Sequence, residues 1–538
     1  MINPKEERIA AKSITTKVLV IGGGPGGSYA ASVLAREGIE VTLLEATKFP
    51  RYHIGESMLP SLKLFLRYID AEEKVKNHGF CVKPGAAVKL NQFKREGYTD
   101  FLRHDPNHWS WNVVRSEFDE ILLRHAAESG ATVLEEHKVT EILFAKDADG
   151  NATSRPCAAT YSCNTGVGTV NFDYLIDASG RNGIMSTRYL HNRRMNKSLK
   201  NIACWAYWHG DLKMYKPGTG RENAPWFESL TDESGWGWFI PLHDGIVSVG
   251  IVMDQSISTA KKTAARAKNG ESTLKDHYLE QLQFVPGVQD LIGNGTLLDG
   301  NVRSAGDYSY SPDRYSGDHF RLVGDAGAFI DPFFSSGVHL AILSGLTAAL
   351  TITAPLRGHC SETVASDFYN IKSATAYTRF LVVVMSVYRQ IRNQSLDVLS
   401  DVDEDNFDRA FDILRPVIQG TADIGKKLSE DELEKTMDFC KHVFAPADND
   451  ITQEVASRFR PELLSVAAPV FSAEELGQMI DPEDTDAVAV INRINSAKVL
   501  GPMWVKGPAL MENEPVNGMV ATLEKGKLGL VALGGAAL

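Results

Sequence analysis

Cysteine is scarce in this chain of 538 residues: there are six, Cys81, Cys157, Cys163, Cys204, Cys360 and Cys440, and no two stand in CxxC spacing. That argues against a disulfide framework or a cysteine zinc site and fits reduced thiols in a cytoplasmic protein. Runs of basic residues are also missing. With 56 basic against 68 acidic residues the net charge is -12, so nothing would track a phosphate backbone and nucleic acid is not an expected partner. The longest purely hydrophobic stretches, "FLVVVM" (380–385) and "LGLVALGGAAL" (528–538), fall short of the roughly 20 residues that a membrane helix needs, and no membrane span is expected. The first sixteen residues include "PKEER" and no apolar core, unlike a secretory signal. His53, His78, His243, His319 and His339 show no metal-ligand spacing, and no metal is expected.

What is present is enough apolar residue, 43% of the chain, to bury a large core divided among two or three regions. "KVLVI" (17–21) reads as a buried strand, "SYAASVLAREG" (28–38) as a helix ending on Gly38, and "IEVTLLE" (39–45) as the next strand, together a βαβ unit. "RSEFDEILLRHAAESG" (115–130) has helical spacing and "ATVLEE" follows it as a strand, while "DADGNATSRP" (147–156) reads as a hairpin tip. From 201 to 253 aromatic and β-branched residues predict a second, mostly antiparallel sheet. "FRLVGDAGAF" (320–329) predicts a short strand with an acidic turn, and 338–353 a long helix. Residues 1–16 are read as a tail and 17–355 as a core in which a nucleotide-binding unit and a substrate sheet interleave. Residues 356–494 follow as a helical region, its run "GKKLSEDELEKTMD" a solvated face, and 495–538 as an irregular tail.

Two features of this pattern carry chemistry. "GGGPGG" (22–27) places Gly22, Gly24 and Gly27 in GxGxxG spacing, with Gly23 and Gly26 between them, directly after a strand and before a helix. Such a turn lets the backbone approach a pyrophosphate at the positive end of the helix. Glu45, about 20 residues on, ends the second strand, where a carboxylate accepts hydrogen bonds from ribose hydroxyls. The nucleotide is NAD or FAD on this evidence. The second feature is "GWGWFIP" (235–241). In a strand, Trp236 and Trp238 lie on one face and form a wall of two indoles.

The blocks "GGGPGGSYAA", "FPRYHIGESMLPS", "GFCVKPGAAVKL", "VVRSEFDEILL", "IDASGRNG", "GWGWFIP" and "VGDAGAFIDPFFSSGVHLA" resemble the flavin-dependent halogenases, and among them the fungal enzymes that act on phenolic polyketides. The resemblance covers about residues 17 to 350 and includes that family's WxWxIP motif. It implies an α/β fold of the FAD-dependent monooxygenase type, with an antiparallel substrate-binding sheet and a helical C-terminal region. It implies FAD, used as FADH2 and supplied by a separate flavin reductase, with Arg115, Asp325 and Val338 joining the glycines and Glu45 as cofactor contacts. It further implies a flavin hydroperoxide that oxidises chloride or bromide to hypohalous acid, which travels past Trp236 and Trp238 to Lys83 beside the substrate. Lys89 is better explained as an outward-facing strand residue.

The same resemblance places the halide at the backbone N–H groups of Ser336 and Gly337, where a helix starts; a helix cap by the Ser335 or Ser336 side chain is compatible with it. Tryptophan halogenases carry a glutamate directly before this serine pair's counterpart, and this chain has Phe334. The substitution favours a phenolic ring, free or bound to a carrier protein, since its own oxygen activates it. The expected activity is chlorination of such a ring in secondary metabolism. Two alternatives stand beside it: an FAD- and NADPH-dependent aromatic hydroxylase, which usually has an Asp-Gly pair where this chain separates Asp177 from Gly180, and a flavin-binding protein without catalysis.

Overall fold

The computed structural model describes residues 13–394 apart from 94, 103, 104 and 307, scattered residues between 454 and 491, and residues 515–533. The charged run at 425–438 and most of the expected helical region lie outside the described residues.

Strand Ile14–Ile21 is the centre of the first sheet, with Gly166–Asp177 on one side and Val41–Leu44 on the other, both parallel to it. Phe320–Leu322 and Thr132–Leu134 extend the parallel run outward. Val18, Leu19, Val20 and Ile21 are all buried, because a parallel sheet is covered on both faces and its strands read as continuous apolar runs. The hairpin Lys138–Lys146/Ala152–Cys163 adds antiparallel to Gly166–Asp177, with its tip at 147–151.

The second sheet runs Thr296–Leu297, Asn201–His209, Val247–Asp254, Gly235–Pro241, Trp226–Ser229, Gly85–Lys89 and Gly97–Asp100. It is antiparallel except where Trp226–Ser229 meets Gly85–Lys89. The tryptophan strand Gly235–Pro241 is buried along its whole length.

The long helix begins at Ser336 and ends at Leu356, longer at both ends than its pattern predicts. By length and composition alone it could cross a membrane, yet 78% of its apolar window is buried inside the protein. It crosses the glycine-turn helix (Pro25–Arg36) closely enough that a Cβ on Gly26 would lie 2.7 Å from the Ala341 carbonyl oxygen and one on Gly345 2.5 Å from that of Gly26. Helix Glu362–Ile391 packs against it and contributes to the same hydrophobic core, with Phe368, Tyr369, Phe380 and Tyr388 buried.

The tail differs from the irregular segment its glycines suggest. Met519–Thr522 and Gly529–Ala532 pair as an antiparallel hairpin with Leu528 and Leu530 buried. The Glu37 carboxylate, which follows the glycine-turn helix, accepts from the Gly526 N–H at 2.9 Å and the Leu528 N–H at 3.2 Å. Arg357, which follows the long helix, pairs with that carboxylate at 2.9 Å and donates to the Leu528 carbonyl at 2.8 Å. The hairpin thereby covers two helix C-termini whose last carbonyls lack intrahelical donors.

Candidate active site

The glycine turn divides into positions the fold requires and one it does not. Gly22 has φ +102 and no room for a Cβ beside the Ala178 carbonyl, and a Cβ on Gly27 would overlap the Gly22 carbonyl oxygen. These two close the strand–turn–helix junction. Gly24 has ordinary extended backbone, φ -67 and ψ 178, and a Cβ there would meet only the Arg51 guanidinium, at 3.5 Å. Packing does not explain its missing side chain; a ligand against the helix N-terminus does. Glu45 is buried, accepts from the Gly23 N–H at 2.7 Å and the Thr47 N–H at 2.9 Å, and faces the same cavity.

That cavity, about 520 Å³, is shared by the glycine turn and the second sheet; Gly22, Gly24, Gly26, Gly27, Glu45, Arg115, Asp325, Gly337 and Val338 line it, as do Trp236 and Trp238. The site residues expected for a flavin are therefore brought together, and their arrangement fits FAD: a pyrophosphate cradle, a ribose acid and an apolar wall. Gly23 stands just behind the lining and acts through its bond to Glu45.

Arg115 both faces the cavity and forms a bidentate pair with Asp119 at 2.8 and 3.0 Å, with its third nitrogen donating to the Ile54 carbonyl at 2.7 Å. The ion pair and the cavity contact are compatible, since the pair holds the guanidinium in place. Burial raises the Asp325 carboxyl to about 6, against the opposing pull of Arg115, Arg181 and Arg193. Asp177 accepts from the Ser179 N–H and hydroxyl and the Met185 N–H, so it fixes the turn after its strand.

The two indoles do lie side by side, ring centroids 5.8 Å apart, as strand alternation requires. Trp238 lies over Gly250, its register partner, where a Cβ would collide with the indole, and its Nε1–H donates to the Ser248 hydroxyl at 3.1 Å. Trp236 packs edge-on to Phe333 with centroids 4.9 Å apart.

Lys83 does not line this cavity. It ends the short strand Cys81–Lys83, paired antiparallel with Ser110–Asn112, and is only 2% exposed. Its ammonium donates to the Met58 carbonyl at 2.9 Å and sits 5.1 Å from the Phe101 ring centroid. Desolvation by burial lowers its pKa to about 7, so the group exchanges a proton near neutral pH. Met58 directly follows Ser57, which does line the cavity, so the ammonium is held one residue behind the cavity wall. Lys89, on the neighbouring strand, is partly exposed.

Ser335 has φ +55 and precedes the long helix without a side-chain cap, so the capping role expected of Ser335 is not filled. The left-handed turn starts the helix at Ser336, and Ser335, Gly337 and Val338 face the cavity while the Ser336 side chain is buried. The helix N-terminus therefore borders the same cavity as the tryptophans. Phe334 is buried against Phe333 and offers no proton acceptor.

Sequence reasoning assigned no role to four groups at this site. Glu56 lines the cavity and is raised to about 7 by burial; it is the one acid of "FPRYHIGESMLPS", and that was the available signal. Tyr207 donates to it at 2.6 Å. Trp236 Nε1–H donates to the Tyr388 hydroxyl, which donates to Asp331, both at 2.8 Å; burial raises Asp331 to about 7. His78 and His243, isolated in sequence, share Glu117 at 2.7 and 3.2 Å, an exposed cluster away from the cavity lining.

Comparison with known proteins agrees with this geometry. The family model described as tryptophan halogenase matches residues 17–101 and 81–399. The chain is 56% identical over 96% of its length, and 98% of the relative's, to the flavin-dependent halogenase armH4 of Armillaria mellea. It is 46% identical, over 96% of its length and 93% of the relative's, to the sulochrin halogenase gedL of Aspergillus terreus. Among solved structures, the myxobacterial chondrochloren halogenase CndH superposes with a TM-score of 0.63 at 26% identity, covering 81% of this chain and 98% of the other.

Proposed function

The chain belongs to the flavin-dependent halogenases, its cofactor is FAD, and from that premise we propose that it chlorinates an electron-rich phenolic ring, taking FADH2 from a separate flavin reductase. Reduced FAD supplies the electrons that activate O2. The protein's own residues decide where the resulting halogen electrophile goes.

The observation that carries the reading is Lys83. Its ammonium is fully desolvated, commits one N–H to Met58, and titrates to about 7 because of burial alone. In the protonated form it donates to the oxygen of hypohalous acid and polarises the O–X bond; in the neutral form the amine displaces water from hypohalous acid to give an N–X bond that passes X to the ring. Both demand a nitrogen poised between its two states, which a surface lysine is not. Trp236 and Trp238 belong to the second sheet and wall the cavity that the glycine turn also lines; in this reading the indoles keep ring and flavin apart so that oxygen transfer does not compete. The N–H groups of Ser336 and Gly337 suit a halide anion.

The phenolic substrate class rests on Phe334. A buried phenyl there cannot take the ring proton, so a ring already activated by its own oxygen is favoured. The relative named sulochrin halogenase is consistent with a small aromatic metabolite.

The test is incubation with a flavin reductase, NADH, FAD, chloride and a panel of phenols, read by chlorine isotope pattern in mass spectrometry. A chlorinated phenol is expected. Hydroxylated product without halogen, at any chloride or bromide concentration, overturns the reading.

A further inference from the structure

We propose that Tyr52, Tyr207 and Glu56 form a proton path from solvent into the flavin cavity. The inference rests on the halogenase reading for its use, but the path itself is a matter of geometry.

Glu56 is 2% exposed and lines the cavity. Behind it, on strand Asn201–His209, the Tyr207 hydroxyl lies 2.6 Å from Glu56 Oε1 and 3.1 Å from the Tyr52 hydroxyl. Tyr52 is 47% exposed. Three oxygens therefore connect cavity and solvent without a gap longer than a hydrogen bond.

A hydroxyl carries one proton. Trp205 Nε1–H donates to the Tyr52 oxygen at 2.7 Å. The Tyr207 hydroxyl is the donor toward both Glu56 and Tyr52 and can give its one proton to only one of them; once Glu56 has taken it, the Tyr52 hydroxyl turns to donate to Tyr207 and the proton moves inward. Arg303 lies over both phenol rings, 4.7 and 5.5 Å from their centroids; burial outweighs it and raises both phenols above their usual range, so each hands on its proton only as it receives another. The other groups that face Glu56 are Arg115, whose charge opposes its protonation, and the Ser248 hydroxyl.

Halogenation needs this supply. FADH2, O2, halide and ArH yield FAD, ArX and two molecules of water only if one further proton enters. In the proposed step Glu56 gives its carboxyl proton to the cavity, Tyr207 reprotonates it, Tyr52 reprotonates Tyr207, and solvent reprotonates Tyr52. No electrons move along the path.

Two measurements test it. With oxidised FAD bound, so that the cavity side is covered, the carboxyl stretch of Glu56 is identified by its loss in Glu56→Gln and its shift is followed after transfer into deuterated water. Tyr207→Phe is expected to slow that exchange on the order of 10²-fold; an unchanged exchange rate overturns the path. In turnover, Tyr207→Phe is expected to bind FAD as wild type does, to halogenate more slowly, and to regain rate when a small weak acid is added as a diffusible donor. A slow variant that no small acid rescues overturns the path, because Tyr207 then serves structure alone. If wild type halogenates nothing, the functional reading fails while the exchange measurement still decides the path.

Discussion

The Trp236 indole N–H donates to the hydroxyl of Tyr388 at 2.8 Å, across 152 residues of sequence. One half of the tryptophan wall is therefore oriented by helix Glu362–Ile391, and the same hydroxyl donates to the buried Asp331.

Tyr388→Phe removes the donor to Asp331 and strands the Trp236 N–H. An unpartnered buried polar group costs about 1–3 kcal/mol. The loss should depend on pH. Burial raises Asp331 to about 7, above its unfolded value, so its charge is absent from the folded state below that pH and present above it. Tyr388 stabilises the charged form, and the variant should lose more stability above pH 7 than below. Denaturant midpoints on either side of pH 7 measure the difference; equal losses would mean that Asp331 does not ionise there.

Gly24→Val should fold and lose FAD, since a branched side chain enters the cavity and its Cβ meets only Arg51. Gly27→Val should not fold, because its Cβ overlaps the Gly22 carbonyl. Flavin absorbance per protein and thermal midpoint separate the two. Full yellow colour in Gly24→Val would displace the cofactor from the glycine turn.

Lys83→Ala should leave FAD binding and oxidation of reduced flavin in place while chlorinated product falls on the order of 10²-fold or more. Product and flavin reoxidation are measured in one reaction. Normal product yield would remove Lys83 from the mechanism.

The same lysine should cost stability in a pH-dependent way. Its folded pKa, about 7, lies below the unfolded value near 10.4, so between them the unfolded chain binds the extra proton and stability rises with pH. Lys83→Met, similar in volume and uncharged, should therefore be more stable than wild type at neutral pH, with the advantage shrinking as pH rises toward 10. Urea midpoints of the two proteins across that range are the check.

Local features of the site were legible in the sequence because they are local in space as well. Gly22, Gly24, Gly27 and Glu45 belong to one βαβ unit, and Trp236 and Trp238 share a face through strand alternation alone. Groups set by tertiary contact were not. Tyr388 lies beyond the last recognisable block, and nothing in its surroundings names Trp236 as its partner. Glu56 and Tyr207 meet across 151 residues, and only the folded sheet puts them together. Lys83 was found by its flanking block, but its place behind the cavity wall, on a strand paired to Ser110–Asn112, is not a property of that block. The tail misled for a related reason: its glycines read as irregular, whereas Gly526 has φ +82 in the turn of a hairpin and Gly529 gives room to the His359 ring.

That hairpin sets an order of events. The Glu37 carboxylate is made early, on the helix that receives the cofactor, but the Gly526 N–H that it accepts from follows 489 residues later. A ribosome will have released the glycine turn, both sheets and the tryptophan strand before the cover over Glu37 exists. Completion of the nucleotide-binding end thus waits on residues synthesised 489 positions later, and a stop codon near residue 519 would be felt at the helix that Glu37 follows.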